Sequence, residues 1–186
     1  MTNRKAFSLF TVKSIDDGER IIEGIATTPR PDRQLDVVEP LGAAFTLPLP
    51  LLLDHHPDEQ VGHVEMATPT PSGIPFKARI RKIDEPGEVQ RLCDKAWTLV
   101  KHKLRSAVSI GFRSIEAEPL QSGGWRFKRW EWYELSLVSI PAQADAIILG
   151  SKSLDDRVLQ VCRDAVRVHR PTRVVRLTPA EAPWIR

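Results

Sequence analysis

Residues 125–142, WRFKRWEWYELSLVSIPA, predict a long strand, because aromatic and β-branched side chains dominate the stretch. The preceding stretch, SAVSIGFRSIEAEPL at residues 106–120, has the same character, and QSGG at residues 121–124 supplies a turn between the two. We expect the tryptophans of this region to serve core packing and cross-strand pairing rather than ligand stacking. They are Trp97, Trp125, Trp130 and Trp132.

Upstream of these strands the sequence takes on the period of a helix. In DEPGEVQRLCDKAWTLVKHKL, residues 84–104, apolar residues recur on one face and Pro86 suits a helix start. This pattern predicts a helix over residues 86–103. Its apolar face consists of Val89, Leu92, Cys93, Ala96, Leu99 and Val100.

The N-terminal part of the chain predicts several shorter strands. FSLFTVKSI and RIIEGIATT flank DDGE, a hairpin turn in which Gly18 supplies the positive φ. The apolar run Leu51–Leu53 fits a buried strand, and VGHVEMA and GIPFKARI continue the series. Many short strands and an inserted helix predict a mainly β, α+β fold, in the form of a closed or nearly closed β-barrel with helices around it.

Length and charge narrow the class of protein. The 186 residues are enough for one domain with a core, and neither a transmembrane run nor a signal peptide is evident, so we expect a cytoplasmic protein. Residues 151–186 sum to +4 and residues 1–150 to −1, so only the tail is basic and the charge of the body argues against a nucleic-acid partner. Within the tail, Ser153 predicts the start of a second amphipathic helix. Cys93 and Cys162 suggest reduced core thiols.

Three of the five histidines lie in LLLDHHPDEQVGHV, residues 51–64: His55, His56 and His63. A metal site needs further ligands at a matching spacing, and the sequence offers no Cys or His pair of that kind. A phosphate-binding loop needs a glycine-rich turn, which is also lacking. Two interpretations stay open, a structural role at a strand end and a catalytic base, and the second requires a nucleophile and an orienting group.

Candidates for both groups lie in the long strands. Ser109 stands among apolar residues in SAVSIGF, with Gly111 two positions on, and Ser106 is an alternative nucleophile that would point to the opposite face. Glu134 is embedded in the apolar stretch WYELSLVSIP. A buried carboxylate needs a partner, and an imidazole would be one. A packed serine and a solvent-facing edge glutamate are the alternatives.

Taken in order, LLLDHHPDEQVGHV, AVSIGFRS and YELSLVSIPAQADA resemble the prohead protease of tailed bacteriophages with the HK97-type capsid system. The resemblance covers about residues 7–149 of the chain. It implies a serine protease whose barrel is similar to the herpesvirus assemblin protease. It further implies a protease domain over residues 1–150 and a basic C-terminal helix and tail over residues 151–186, removed or used for incorporation.

The resemblance also implies the roles of particular residues. His55 aligns with the family's base, although His56 stands where Asp is common, which keeps His56 as an alternative. Ser109 is then the nucleophile and Glu134 the third member of the triad, while His63 is structural. Backbone N–H groups of Ala142 and Gln143 are the expected oxyanion donors. No cofactor and no metal are implied.

The function implied is that of a serine endopeptidase of capsid maturation. It would cleave the scaffold-like segment of the major capsid protein, and itself, inside the prohead in the host cytoplasm. The active form would be either a homodimer or a monomer concentrated by the shell, with no membrane partner. Two rival functions are a catalytically inactive capsid assembly or scaffolding factor with the same fold, and an unrelated β-barrel binding module.

Overall fold

A computed structural model describes residues 18–139 and, for the backbone alone, residues 4–11. These residues form nine strands, one α-helix and a 3₁₀ turn at Pro40–Gly42. The predicted second helix, Cys162, Ala142, Gln143 and the basic tail lie outside the described residues. The elements are β1 (Arg4–Thr11), β2 (Ile21–Ile25), β3 (Val37–Val38), β4 (Ala43–Ala44), β5 (Leu49–Leu53), β6 (His56–Ala67), β7 (Pro75–Ile80), α1 (Glu88–Lys101), β8 (Ala107–Pro119) and β9 (Trp125–Val138).

All nine strands belong to one mixed sheet. Its order is β3-β9-β5-β6-β7-β2-β1-β8, and β4 pairs with β9 beside this path. The predicted long hairpin is present, since β8 and β9 pair antiparallel from Ala107 opposite Val138 to Pro119 opposite Trp125. On its other side β9 pairs in parallel with β5 and with the short strands β3 and β4. Strand β9 is therefore the hub of the sheet.

The expectation of a closed barrel needs correction, because the structure has a mixed sheet that is not closed. β8 pairs with both β1 and β9, so the sheet curves back on itself. The ladder between β1 and β2 is short, and among the described residues it pairs two positions, Phe10 with Gly24 and Thr11 with Glu23. The mainly β, α+β class is confirmed, with a single α-helix among the described residues.

Helix α1 covers the sheet at β6 and β7. It spans two residues less at each end than predicted, beginning after Gly87 and ending before Lys103, whose φ of 58° leaves the helical region. The predicted apolar face is buried in its centre, whereas Val89 near the start is exposed. Cys93 lies on the buried face and its thiol contacts the carbonyl of Val61. The inserted helix thus closes part of the core, as its period indicates.

The core contains three of the four tryptophans expected there. Trp97, Trp130 and Trp132 are almost completely buried, whereas Trp125 is 39% exposed at the start of β9. Trp130 meets the ring of Phe112 edge-on, with centroids 5.4 Å apart. Edge-to-face contacts of this kind add to the free energy gained from burial alone. Among the described residues, no helix has the length and apolar character needed to cross a bilayer.

Candidate active site

The apolar run of β5 ends in a two-residue hairpin turn that presents a histidine. Asp54 and His55 have φ values of 51° and 63°, and Leu53 pairs with His56 across the turn. Two successive positive φ angles are typical of the type I′ turn, whose twist matches that of the flanking strands. Asp and His enter this left-handed region more readily than most residues. The backbone of the turn thereby sets the direction of the His55 side chain.

His55 joins the two other predicted site residues by hydrogen bonds. Its Nε2 lies 2.7 Å from the Ser109 Oγ, and its Nδ1 lies 2.6 Å from the Glu134 Oε1. An ionised carboxylate only accepts hydrogen bonds, so the proton of a neutral ring belongs on Nδ1 and Nε2 is free to accept from the Ser109 hydroxyl. We call Ser109, His55 and Glu134 the triad. The three side chains lie together as the sequence predicted, and their chemical roles stay predictions.

The register of β8 on β9 explains why these groups meet. Ser109 pairs with Ser136, and Gly111 pairs with Glu134. Residues two apart on a strand share a face, so all four positions face the same side of the hairpin. β5 lies in parallel on the far edge of β9, and Asp54 donates its backbone N–H to the Leu137 carbonyl at 3.0 Å. The turn is therefore fixed directly beside the hairpin.

Gly111 makes room for the carboxylate. A Cβ added to Gly111 would overlap the carboxylate and the Cγ of Glu134. A glycine in a strand permits the close approach of another group, and here the approaching group is the Glu134 side chain. The ladder also shifts register between Gly111 and Phe112, next to this contact. Such an irregularity re-aims side chains, and here it lies where Glu134 crosses toward His55.

Ser136 is a member of the site that sequence reasoning did not assign. Its Oγ accepts the backbone N–H of His55 at 3.1 Å and donates to the Glu134 Oε2 at 2.8 Å. Like Ser109, it is completely buried. The signal that pointed to it was the alternation that puts it on the same face as Glu134.

The alternative histidines and the alternative serine lie outside the triad. His56 is exposed at the start of β6, and His63 hydrogen-bonds Gln60 on the surface at 3.0 Å. Ser106 precedes β8 and is partly exposed. Asp54, the first residue of the turn, forms an ion pair of 2.7 Å with Arg105. This pair ties the turn to the segment that leads into β8.

A cysteine nucleophile and a bound metal ion are the two alternatives to a serine-based site. Burial raises the pKa of the Cys93 thiol, and a protonated thiol is a weak nucleophile. The segments covered by the structure contain no group of three or more His, Cys, Asp or Glu side chains arranged to hold a metal ion. Among the described residues, neither Cys93 nor a metal centre is thus a stronger candidate for chemistry than the triad.

Comparison with known proteins finds similarity to two phage proteins. The chain is 44% identical over 187 residues to the capsid polyprotein of Pseudomonas phage PAJU2, a match covering 100% of this chain and 27% of the polyprotein. It is 29% identical over 157 residues to the prohead protease of Escherichia phage T5, covering 77% of this chain and 70% of the protease. The chain thus spans about a quarter of the first relative's length. No protein-family model matches it.

Both similarities are to phage proteins named for the capsid or the prohead, which agrees with the broad resemblance drawn from the sequence. The narrower assignment, to the HK97-type system and the assemblin-like fold, stays a prediction.

Proposed function

We propose that the chain is a serine endopeptidase of phage capsid maturation. The observation that carries this proposal is the continuous hydrogen-bonded path from the Ser109 Oγ through both ring nitrogens of His55 to Glu134. A serine activated by an imidazole that a carboxylate orients is recognised as a hydrolytic triad by its geometry, on many unrelated folds.

Acylation follows from the positions of the protons. His55 Nε2 takes the Ser109 proton while Oγ attacks the peptide carbonyl, which gives a tetrahedral oxyanion and an imidazolium. Glu134 keeps Nδ1 protonated and stabilises the cation. Nε2 then gives its proton to the leaving amine as the C–N bond breaks, and an acyl-enzyme on Ser109 remains.

Deacylation repeats the same transfers with water. His55 takes a proton from the water that attacks the ester, and returns it to the Ser109 Oγ as the new carboxylic acid departs. Both oxyanions need hydrogen-bond donors. Ala142 and Gln143 remain our proposed donors, outside the described residues.

Access to the nucleophile is restricted in this structure. Ser109 is completely buried, so a peptide carbonyl reaches its Oγ only after a neighbouring segment moves.

The similarities support a capsid protein as the substrate. One relative is named as a prohead protease, and the other is a capsid polyprotein in which the matching region makes up 27% of the chain. We propose that the enzyme cleaves the scaffold-like segment of the major capsid protein, and itself, inside the prohead.

The test is co-expression with the capsid protein encoded by the same phage. We expect Ser109→Ala to lower cleavage of that protein on the order of 10⁴–10⁶-fold, because the attacking oxygen is lost. Ser106→Ala is the matched control, since it removes a hydroxyl just before the same strand and should cleave normally. Circular dichroism and a thermal melt establish that both variants fold.

A second measurement does not need the substrate. Diisopropyl fluorophosphate is small enough for a confined site, and mass spectrometry should find it on Ser109 and not on Ser106 or Ser136. Labelling without capsid cleavage would favour a different substrate. If the folded wild type shows no labelling and no cleavage, the protease proposal is refuted and the inactive assembly factor is favoured.

A further inference from the structure

We infer that Ser136 is a positioning residue of the triad, which holds the His55 turn and the Glu134 carboxylate in one arrangement. The inference rests on the proposed function and deepens it, since it assigns a fourth side chain to the same site.

The hydrogen bonds of Ser136 close a ring. Its Oγ accepts the His55 N–H at 3.1 Å and donates to the Glu134 Oε2 at 2.8 Å, while the other carboxylate oxygen accepts from His55 Nδ1 at 2.6 Å. A hydroxyl has one proton to donate and lone pairs to accept, so both bonds form at once. The backbone and the ring of His55 are thus tied to the same carboxylate.

One of these bonds holds the backbone of His55, and the other satisfies the second oxygen of the Glu134 carboxylate. The left-handed φ of 63° at His55 has a conformational cost, and the bond from its N–H opposes relaxation to a commoner conformation. The Glu134 side chain is only 8% exposed, so its second carboxylate oxygen has little access to water and accepts from Ser136 instead. Removing the Ser136 hydroxyl would take away the donor to the Glu134 Oε2 and the acceptor of the His55 N–H.

The two buried serines are chemically distinct despite their pairing across β8 and β9. Ser109 lies against His55 Nε2, which is able to take its proton. Ser136 donates a hydrogen bond to the Glu134 carboxylate and accepts one from the backbone N–H of His55. Ser136 is therefore placed to orient the base rather than to attack.

The kinetic test compares three variants. Ser136→Ala should lower kcat for capsid-protein cleavage by about 10- to 100-fold, as expected for a small misplacement of reacting groups, with KM little changed. Ser136→Thr restores a hydroxyl and should regain part of the loss. Ser114→Ala removes an exposed hydroxyl from β8 and serves as the matched control, with unchanged kcat. Equal kcat for Ser136→Ala and wild type would overturn the inference.

The second test works without turnover, so that it is decided even if the chain cleaves nothing. In a Ser109→Ala background, the His55 Nδ1–H should give a low-field proton NMR signal, which Glu134→Gln removes or shifts strongly. Adding Ser136→Ala should broaden this signal or move it upfield, because the carboxylate is no longer fixed, whereas Ser114→Ala should leave it in place. An unchanged signal after Ser136→Ala would show that Ser136 merely fills space.

The positioning role and the proposed function can be refuted independently of each other. A Ser136-dependent signal, combined with a folded wild type that neither cleaves the capsid protein nor reacts with diisopropyl fluorophosphate, would refute the proposed function and leave the positioning role intact. Normal cleavage with a signal insensitive to Ser136 would refute the positioning role and leave the proposed function intact.

Discussion

Gly111 decides, at the scale of the single residue, whether the Glu134 carboxylate reaches His55. The volume that a Cβ would occupy at Gly111 is taken by that side chain. The three atoms nearest to that position all belong to the Glu134 side chain, so a larger residue at position 111 would press on this carboxylate from the opposite strand.

We therefore expect Gly111→Ala to slow diisopropyl fluorophosphate labelling of Ser109 by about 10²–10⁴-fold, because Glu134 is forced out of line. The free energy of unfolding should fall by about 1–3 kcal/mol from overpacking. Gly87→Ala is the matched control, since nothing lies within 4 Å of a Cβ there. Labelling at the wild-type rate by a folded Gly111→Ala protein would contradict the packing argument.

At the scale of the element, the β5–β6 hairpin turn explains what the sequence was able to predict and what it was not. The end of β5 at the histidines followed from the apolar run Leu51–Leu53. The choice between His55 and His56 did not, because DHHP lacks the Asn-Gly or Asp-Gly pair that marks a type I′ turn. The structure puts His55 in the turn against Ser109, and His56 in β6 with its side chain exposed.

The positive φ of His55 dictates how its role is tested. Glycine accepts this backbone conformation, so His55→Gly removes the imidazole and keeps the turn, whereas alanine would strain it. We expect His55→Gly to lose on the order of 10⁴–10⁶-fold in cleavage rate, with partial recovery when free imidazole is added. His56→Ala should cleave close to the wild-type rate. Loss of activity in His56→Ala with retention in His55→Gly would move the base by one position.

At the scale of the whole molecule, the hub strand β9 links the core to the site. Its middle contributes Trp130 and Trp132 to the core, and its C-terminal part carries Glu134 and Ser136. The aromatic and β-branched content of β8 and β9 was enough to predict both strands and their hairpin. The parallel pairings of β9 with β3, β4 and β5 were not predictable, because they depend on contacts between residues far apart in the chain rather than on local pattern.

Trp130 and Trp125 lie on the same strand but differ in burial, so replacing each by alanine compares a core position with an exposed one. Trp130→Ala should lower the free energy of unfolding by about 3–5 kcal/mol, since it empties a fully buried position. Trp125→Ala, at the exposed end of the same strand, should cost about 1 kcal/mol or less. Urea unfolding followed by far-ultraviolet circular dichroism measures both, and equal losses for the two variants would contradict the assignment.

The triad joins parts of the chain that are distant in sequence, and this has a consequence for the order of folding. His55 lies 54 positions from Ser109 and 79 from Glu134. Contacts of such separation form only after long loops have closed, which makes them late events in folding. A growing chain that has not yet added β9 contains Ser109 and His55 but lacks Glu134. The three side chains therefore come together only with the last strand of the described sheet, and under the proposed function this order would keep an unfinished chain from cleaving a neighbour or itself.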